Sequence, residues 1–190
     1  MKILVTGSDG FIGNYACSYL KARGHEIIFH KRSGKKKKNT LICDFTNDLP
    51  EVSQLVNIDT VLHLAGVAHD VEGEIKKELF FKINAEKALN LAELCAEAGV
   101  KKFIFISSVK ASLLERDSRK EASIYALSKK RGEDLLRKFS KLTNMEINII
   151  RPALVYGPGV KGNLKDLRDL INGRICPPLP ETGNKKSLIH

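Results

Sequence analysis

No stretch of the chain reaches ~18 consecutive apolar residues, the length a membrane-crossing helix needs. Lys2 leads straight into strand-like sequence and not into a signal-peptide core, so the expectation is a cytoplasmic protein that neither spans a membrane nor is secreted. The four cysteines, Cys17, Cys43, Cys95 and Cys176, form no Cys-x-x-Cys pair, and no histidine stands at metal spacing from them. They read as reduced, mostly buried small hydrophobes; neither a disulfide framework nor a metal site is expected. The formal net charge is +10, with lysines at positions 35 to 38, but no aromatics interleave those lysines and no nucleic-acid-binding motif accompanies them. Such a run reads as a solvated loop, with no nucleic-acid partner, and an anionic small ligand such as a nucleotide would account for part of the basic bias. There is no internal repeat. With 190 residues, 43% hydrophobic and 28% charged, the chain can bury one substantial core and is too short for two comfortable domains.

What is present begins at the first residue. In MKILVTGSDGFIG an apolar run, Ile3 to Val5, breaks into Gly7, Gly10 and Gly13 where a helical pattern starts. A strand that ends in a glycine turn and opens into a helix aims backbone N–H groups, at the positive end of the helix dipole, toward an anion. Gly13 lies on the first helical turn and would let that helix pack close to the sheet. A glycine triplet alone also serves as a plain tight turn, so the sequence around it decides.

Strand-like and helix-like segments alternate along the chain, which predicts an α/β protein with a Rossmann-like, doubly wound parallel sheet and helices on both faces. Strands are expected at Lys2–Thr6, His25–His30, Leu41–Asp44, Thr60–Leu64, Lys102–Ile106 and Glu146–Ile150. Helices are expected at Phe11–Arg23, Leu49–Val56, Gly73–Ala98 and Ile124–Lys141, with a further one at Leu164–Asn172. Residues 107–123 read as a loop. The expected organisation is a dinucleotide-binding domain over 1–160 and the start of an incomplete substrate-binding region over 161–190.

Tyr125 and Lys129 stand four residues apart near the start of a predicted helix, so phenol and ammonium share a face. An ammonium beside a tyrosine favours the phenolate and would lower its pKa from about 10, making it a proton acceptor. Ser107-Ser108 ends the preceding strand, and a serine there could hold a substrate oxygen. Such a Tyr/Lys pair is often only a packed surface pair. The glycine turn changes that weighting, because the C-terminal ends of parallel strands all open on one crevice.

With these motifs in order, the chain resembles the extended short-chain dehydrogenases/reductases of the NAD-dependent epimerase/dehydratase family. The resemblance rests on Thr6-Gly7-Ser8-Asp9-Gly10-Phe11-Ile12-Gly13, Cys43-Asp44-Phe45, His63-Leu64-Ala65-Gly66, Asn84, Phe105-Ile106-Ser107-Ser108, Tyr125-Ala126-Leu127-Ser128-Lys129 and Arg151-Pro152-Ala153-Leu154-Val155-Tyr156-Gly157-Pro158-Gly159. It implies that Gly7, Gly10 and Gly13, with the amides of Phe11 and Ile12, hold the pyrophosphate of NAD(P). Asp44 and Phe45 would meet the adenine, and Leu64, Ala65, Gly66 and Pro152 would line the cofactor. Asn84 would be the family's helix-kinking, fold-supporting asparagine. Ser108, Tyr125 and Lys129 would be the catalytic serine, the proton-transferring tyrosine and the lysine that bonds the nicotinamide ribose; Ser108 would also touch substrate. Where dehydrogenases of this shape often carry an acid for the NAD ribose, this chain has Lys31 and Arg32, which suit the 2′-phosphate of NADP.

Finer resemblance, carried by Ala68-His69-Asp70, Ser107-Ser108-Val109-Lys110, Val160-Lys161-Gly162-Asn163, Pro178-Leu179-Pro180 and Asn184-Lys185-Lys186-Ser187-Leu188, is to bacterial surface-polysaccharide enzymes acting on UDP-N-acetylhexosamines. Asn163 would touch the substrate's nucleotide. The implied function is a nucleotide-sugar 4-epimerase acting on a UDP-hexose or UDP-N-acetylhexosamine through a 4-keto intermediate. Two alternatives remain open here: an NADPH-dependent UDP-4-keto-6-deoxysugar reductase, and a truncated, non-catalytic dinucleotide-binding module. Such relatives continue for roughly another hundred residues, so the expectation is a complete cofactor half and an incomplete substrate half. A UDP-sugar substrate and a homodimer are the expected partners.

Overall fold

The strand β1 (Lys2–Thr6) decides by its alternation how the sheet is covered. Ile3 and Val5 pack on one face with Cys17 and Ile27, while Leu4 packs on the other with Val61, Leu91, Phe103 and Phe105. Both faces are buried, as a parallel sheet requires. The structure, a computed structural model, describes residues 1–35, 37–68, 76–116, 123–160, 163–173 and 187–190, with backbone alone at 113–116 and 163–165.

The chain continues through α1 (Phe11–Ala22), β2 (Glu26–Lys31), β3 (Thr40–Ile42), α2 (Val52–Leu55), β4 (Thr60–His63), α3 (Lys77–Phe81), a π-helical turn (Lys82–Glu86), α4 (Lys87–Glu97), β5 (Lys102–Ile106), α5 (Val109–Arg116), α6 (Ile124–Phe139) and β6 (Glu146–Ile150). Six strands pair in the order β3-β2-β1-β4-β5-β6, every neighbour parallel, with Ile3 facing Ile27 on one side and Thr60 on the other. This is the doubly wound architecture that the alternation predicts. The order reverses between β1 and β4, so their C-terminal ends open a crevice flanked by helices.

Two expected segments differ. The long helix expected from Gly73 begins outside the described residues and from Lys77 onward is three pieces, because a π turn adds one residue and carries Asn84 into the interior. Within the expected loop 107–123, Val109–Arg116 is helical, started by the Ala111 N–H bonding the Ser108 carbonyl at 2.9 Å.

The chain divides into two compact units, Met1–Arg151 and Pro152–His190. The first holds the whole six-stranded sheet. The second contains β7 (Leu154–Val155), α7 (Asn163–Asn172) and β8 (Leu188–Ile189), with β7 and β8 paired in parallel. Among the described residues no helix is long and apolar enough to cross a membrane.

Candidate active site

The glycine turn joins β1 to α1. Gly7 has φ +68°, a left-handed conformation that favours glycine, and a Cβ there would stand 2.9 Å from the Ala65 nitrogen. The Gly10 N–H bonds the Gly7 carbonyl at 2.9 Å, closing the turn. A Cβ on Gly13 would stand 2.1 Å from that same carbonyl oxygen, so only glycine lets α1 start this close to the strand end. The N-terminus of α1 has no side-chain cap and no acid in its first turn. Its first amides, from Phe11, Ile12 and Gly13, are thus oriented for an external anion.

At the end of β2, Lys31 Nζ lies 3.3 Å from a carboxylate oxygen of Asp9, the glycine turn's own acid, in an exposed ion pair. Arg32 follows and is exposed. Asp44 accepts the Thr46 N–H at 2.9 Å, and that bond holds its carboxyl below the usual range. The Phe45 ring is buried in the core, 4.3 Å from the His30 ring and 6.2 Å from that of His63. The residue is 4% exposed, so what Phe45 offers the crevice is its backbone. Across the crevice, Thr6 Oγ1 accepts the Leu64 and Ala65 N–H groups, each at 3.1 Å. Having accepted twice, it donates its proton to His63 Nδ1 at 2.9 Å. His63 is thereby neutral, and burial holds its pKa well below the ordinary histidine value.

Next to that loop, Asn84 is fully buried: its Oδ1 accepts the Val67 N–H and its Nδ2 donates to the Val67 carbonyl, both at 2.9 Å. The same Nδ2 also reaches Ser128 Oγ at 2.9 Å, which fastens the π turn to α6. This helix starts with Ser123 capping the Ala126 N–H at 3.3 Å and presents Tyr125 and Lys129 one turn apart. Ser108, just beyond β5, makes a side-chain hydrogen bond with Tyr125. The expected trio thus meets at one strand end.

Its electrostatics differ from the sequence expectation. Burial raises the Tyr125 pKa, with the Ser108 bond pulling the other way. Lys129 Nζ donates instead to the Ile106 carbonyl at 2.9 Å and lies 4.8 Å from the Phe105 ring centre. Burial brings Lys129 down to about 8 against the pull of the Glu133 carboxylate. Glu133 is fully buried one turn further along α6. It accepts the Ser107 hydroxyl at 2.6 Å and the forked guanidinium of Arg151, whose Nε lies at 2.8 Å. Burial would push its acidity the other way, but these partners keep its carboxyl below the usual range. Sequence reasoning did not single out Glu133, although its four-residue spacing from Lys129 was legible; Thr6 opens the quoted glycine motif but was given no role, and for His30 there was no comparable local signal.

Pro152 and Asn163 belong to the second unit, Asn163 as the first residue of α7. Cys176, His69, Asp70, Lys161, Gly162, Pro178, Leu179, Pro180 and 184–186 lie outside the described residues. Among the described residues, no group of three or more His, Cys, Asp or Glu side chains could hold a metal ion.

A parallel sheet in this order, with a glycine turn at its reversal point, defines a Rossmann-like dinucleotide-binding fold. The chain belongs to the NAD dependent epimerase/dehydratase family, whose sequence model matches residues 3–177. It is 35% identical over 209 residues to a UDP-glucose 4-epimerase of Vibrio cholerae, covering 99% of this chain and 62% of the relative. Among solved structures it is similar to MoeE5 in complex with UDP-glucuronic acid and NAD, at 26% identity and a TM-score of 0.74, covering 88% of this chain and 60% of that one. It is also similar to the UDP-N-acetylglucosamine 4-epimerase from Bacillus cereus, at 28% identity and a TM-score of 0.68, covering 86% and 57%. The chain therefore spans less than two thirds of the length of each of these relatives.

Proposed function

We propose that this chain is the dinucleotide-binding part of an NAD(P)-dependent nucleotide-sugar 4-epimerase acting on a UDP-hexose or UDP-N-acetylhexosamine. The observation that carries this reading is the meeting of Ser108, Tyr125 and Lys129 at the end of β5, in the crevice that the glycine turn also borders. The turn fits a dinucleotide: a Cβ at Gly13 would close it, and the uncapped first turn of α1 supplies amides for a pyrophosphate. Lys31 and Arg32 would hold the 2′-phosphate of NADP, displacing Asp9 from Lys31.

When bound, NAD(P) would supply the hydride acceptor and return the hydride. Tyr125 would take the proton of the sugar 4-hydroxyl as the C4 hydrogen leaves with its electron pair, giving a 4-keto sugar. Ser108 would hold that oxygen, and the ammonium of Lys129 would hold a ribose hydroxyl and favour the phenolate. Since burial raises Tyr125 in the free chain, this activation depends on Lys129 turning from the Ile106 carbonyl toward the filled crevice. Epimerisation would require the 4-keto sugar to turn in the crevice and present its other face, with Tyr125 returning its proton to the C4 oxygen as that carbon is reduced again.

In the whole protein, Tyr125→Phe keeps the ring and deletes the proton acceptor. It is expected to slow C4 epimerisation by ~10²-fold or more with cofactor affinity nearly unchanged. Normal turnover by the phenylalanine variant would remove Tyr125 from the proton-transfer role.

The Lys31-Arg32 pair favours a second reading, an NADPH-dependent UDP-4-keto-6-deoxysugar reductase. Net NADPH consumption on a 4-keto sugar, without interconversion of 4-epimers, selects it. Cofactor binding with neither reaction on any UDP-sugar selects a non-catalytic module.

A further inference from the structure

His30 stands directly beneath the glycine turn and is 3% exposed. Its Nε2 lies 2.8 Å from the Cys43 carbonyl, which can only accept, so the ring carries its proton on that nitrogen. Its Nδ1 is left as an acceptor, and the Gly7 N–H donates to it at 3.3 Å. The Ser8 hydroxyl donates to the His30 carbonyl at 2.7 Å. One ring thus ties the end of β2 to the chain leaving β3 and to the first glycine of the cradle, with Phe45 stacked against its face.

We propose that His30 is a positioning residue for the dinucleotide site: its neutral imidazole holds Gly7, and through Gly7 the phosphate cradle, so that protonating the ring loosens the cofactor. The inference rests on reading the cradle as the dinucleotide site. Gly7 is keyed to everything around it. The Gly10 N–H closes on its carbonyl, Gly13 packs against that carbonyl, and Ala65 leaves no room behind it. A proton on Nδ1 would set two N–H donors against each other across 3.3 Å, and the turn cannot retreat toward β4 without striking Ala65.

The surroundings favour the neutral ring. Burial lowers the pKa of His30; the bond to Cys43 and the carboxylates of Asp9 and Asp44 pull it up, and Arg32 lowers it further. The fourth titratable neighbour is His63, behind Phe45, itself neutral. A bound pyrophosphate would pin the turn against His30 from the crevice side, so the bound state resists the proton more than the free state does. Affinity is therefore full above the ordinary imidazole value of about 6.5 and falls as acid charges the ring. The field of the bound phosphates acts in the opposite direction.

The test is NADH binding to the 190-residue chain by fluorescence at about pH 8 and about pH 5.5, on either side of that value. NADH is used because it lacks the titrating 2′-phosphate of NADPH. Wild-type affinity is expected to fall in acid by roughly 3- to 10-fold, the worth of one hydrogen bond. His30→Leu, which removes the acceptor, is expected to bind weakly at both values. His30→Asn, whose Oδ1 replaces Nδ1 as acceptor and does not titrate, is expected to restore the affinity measured at the higher pH and to keep it in acid. A pure packing role would lose affinity in both variants with the wild-type pH profile retained. That result, or wild-type affinity that is flat or tighter in acid, overturns the proposal. Absence of NADH and NADPH binding at the higher pH would instead defeat the dinucleotide reading. The brace itself is then decided by nuclear magnetic resonance on the free chain: the Gly7 amide signal is expected to track His30 titration, and a Gly7 amide indifferent to it overturns the brace.

Discussion

At Gly13 a Cβ would lie 2.1 Å from a backbone oxygen and 2.9 Å from the Ser8 Cα, neither of which can swing aside as a side-chain end would. Gly13→Ala must push α1 away from β1, and the expected cost is about 1–3 kcal/mol, the range for overpacking a tight site. Denaturant unfolding measures it; an unchanged midpoint would mean that the helix start tolerates a shift. Gly7, Gly10 and Gly13 were legible in the sequence because phosphate turns depend on local spacing. Ser108, Tyr125 and Lys129 were legible for the same reason. The direction of the Phe45 ring was not, since it is set by rings fifteen and eighteen residues away, His30 and His63. Nor was the balance at Tyr125: four-residue spacing places a lysine nearby but does not say that the Ile106 carbonyl takes its ammonium.

At the scale of elements, α6 is the part that gathers the site. Tyr125, Lys129 and Glu133 recur every four residues along it, and Glu133 joins that face to Ser107 after β5 and Arg151 after β6. Glu133→Gln keeps the shape but removes the negative charge facing the Arg151 guanidinium, itself 23% exposed, so a loss of about 1.5–3 kcal/mol, the worth of a hydrogen bond to a charged group, is expected. Thermal unfolding checks this; a variant as stable as the parent would make Arg151 a solvated surface group. The strands and most helices were readable from periodicity. The π turn was not, because an extra residue in a helix leaves the apolar pattern almost unchanged and shows itself only through Asn84 binding Val67. Nor was α5, among whose described side chains Ala111 is buried and Val109 exposed.

At the scale of the molecule, the alternation of strand and helix fixes a parallel sheet, and β1 with its glycine turn falls at the place where strand order reverses. The six strands, the crevice and every expected catalytic side chain lie in the first unit, Met1–Arg151. Part of the net charge of +10 is local to the glycine turn, since Lys31 and Arg32 leave β2 beside it, with Asp9 3.3 Å from the Lys31 Nζ. Whether the glycine turn binds a dinucleotide is decided by calorimetric titration of the 190-residue chain with NADPH and with NADH. One cofactor is expected to bind per chain, NADPH tighter than NADH by ~10-fold or more through charge-assisted bonds to the 2′-phosphate, with that order reversed in Lys31→Asp. Binding of neither cofactor would mean that the turn is not a dinucleotide site, and equal affinities before and after the substitution would leave Lys31 as surface charge.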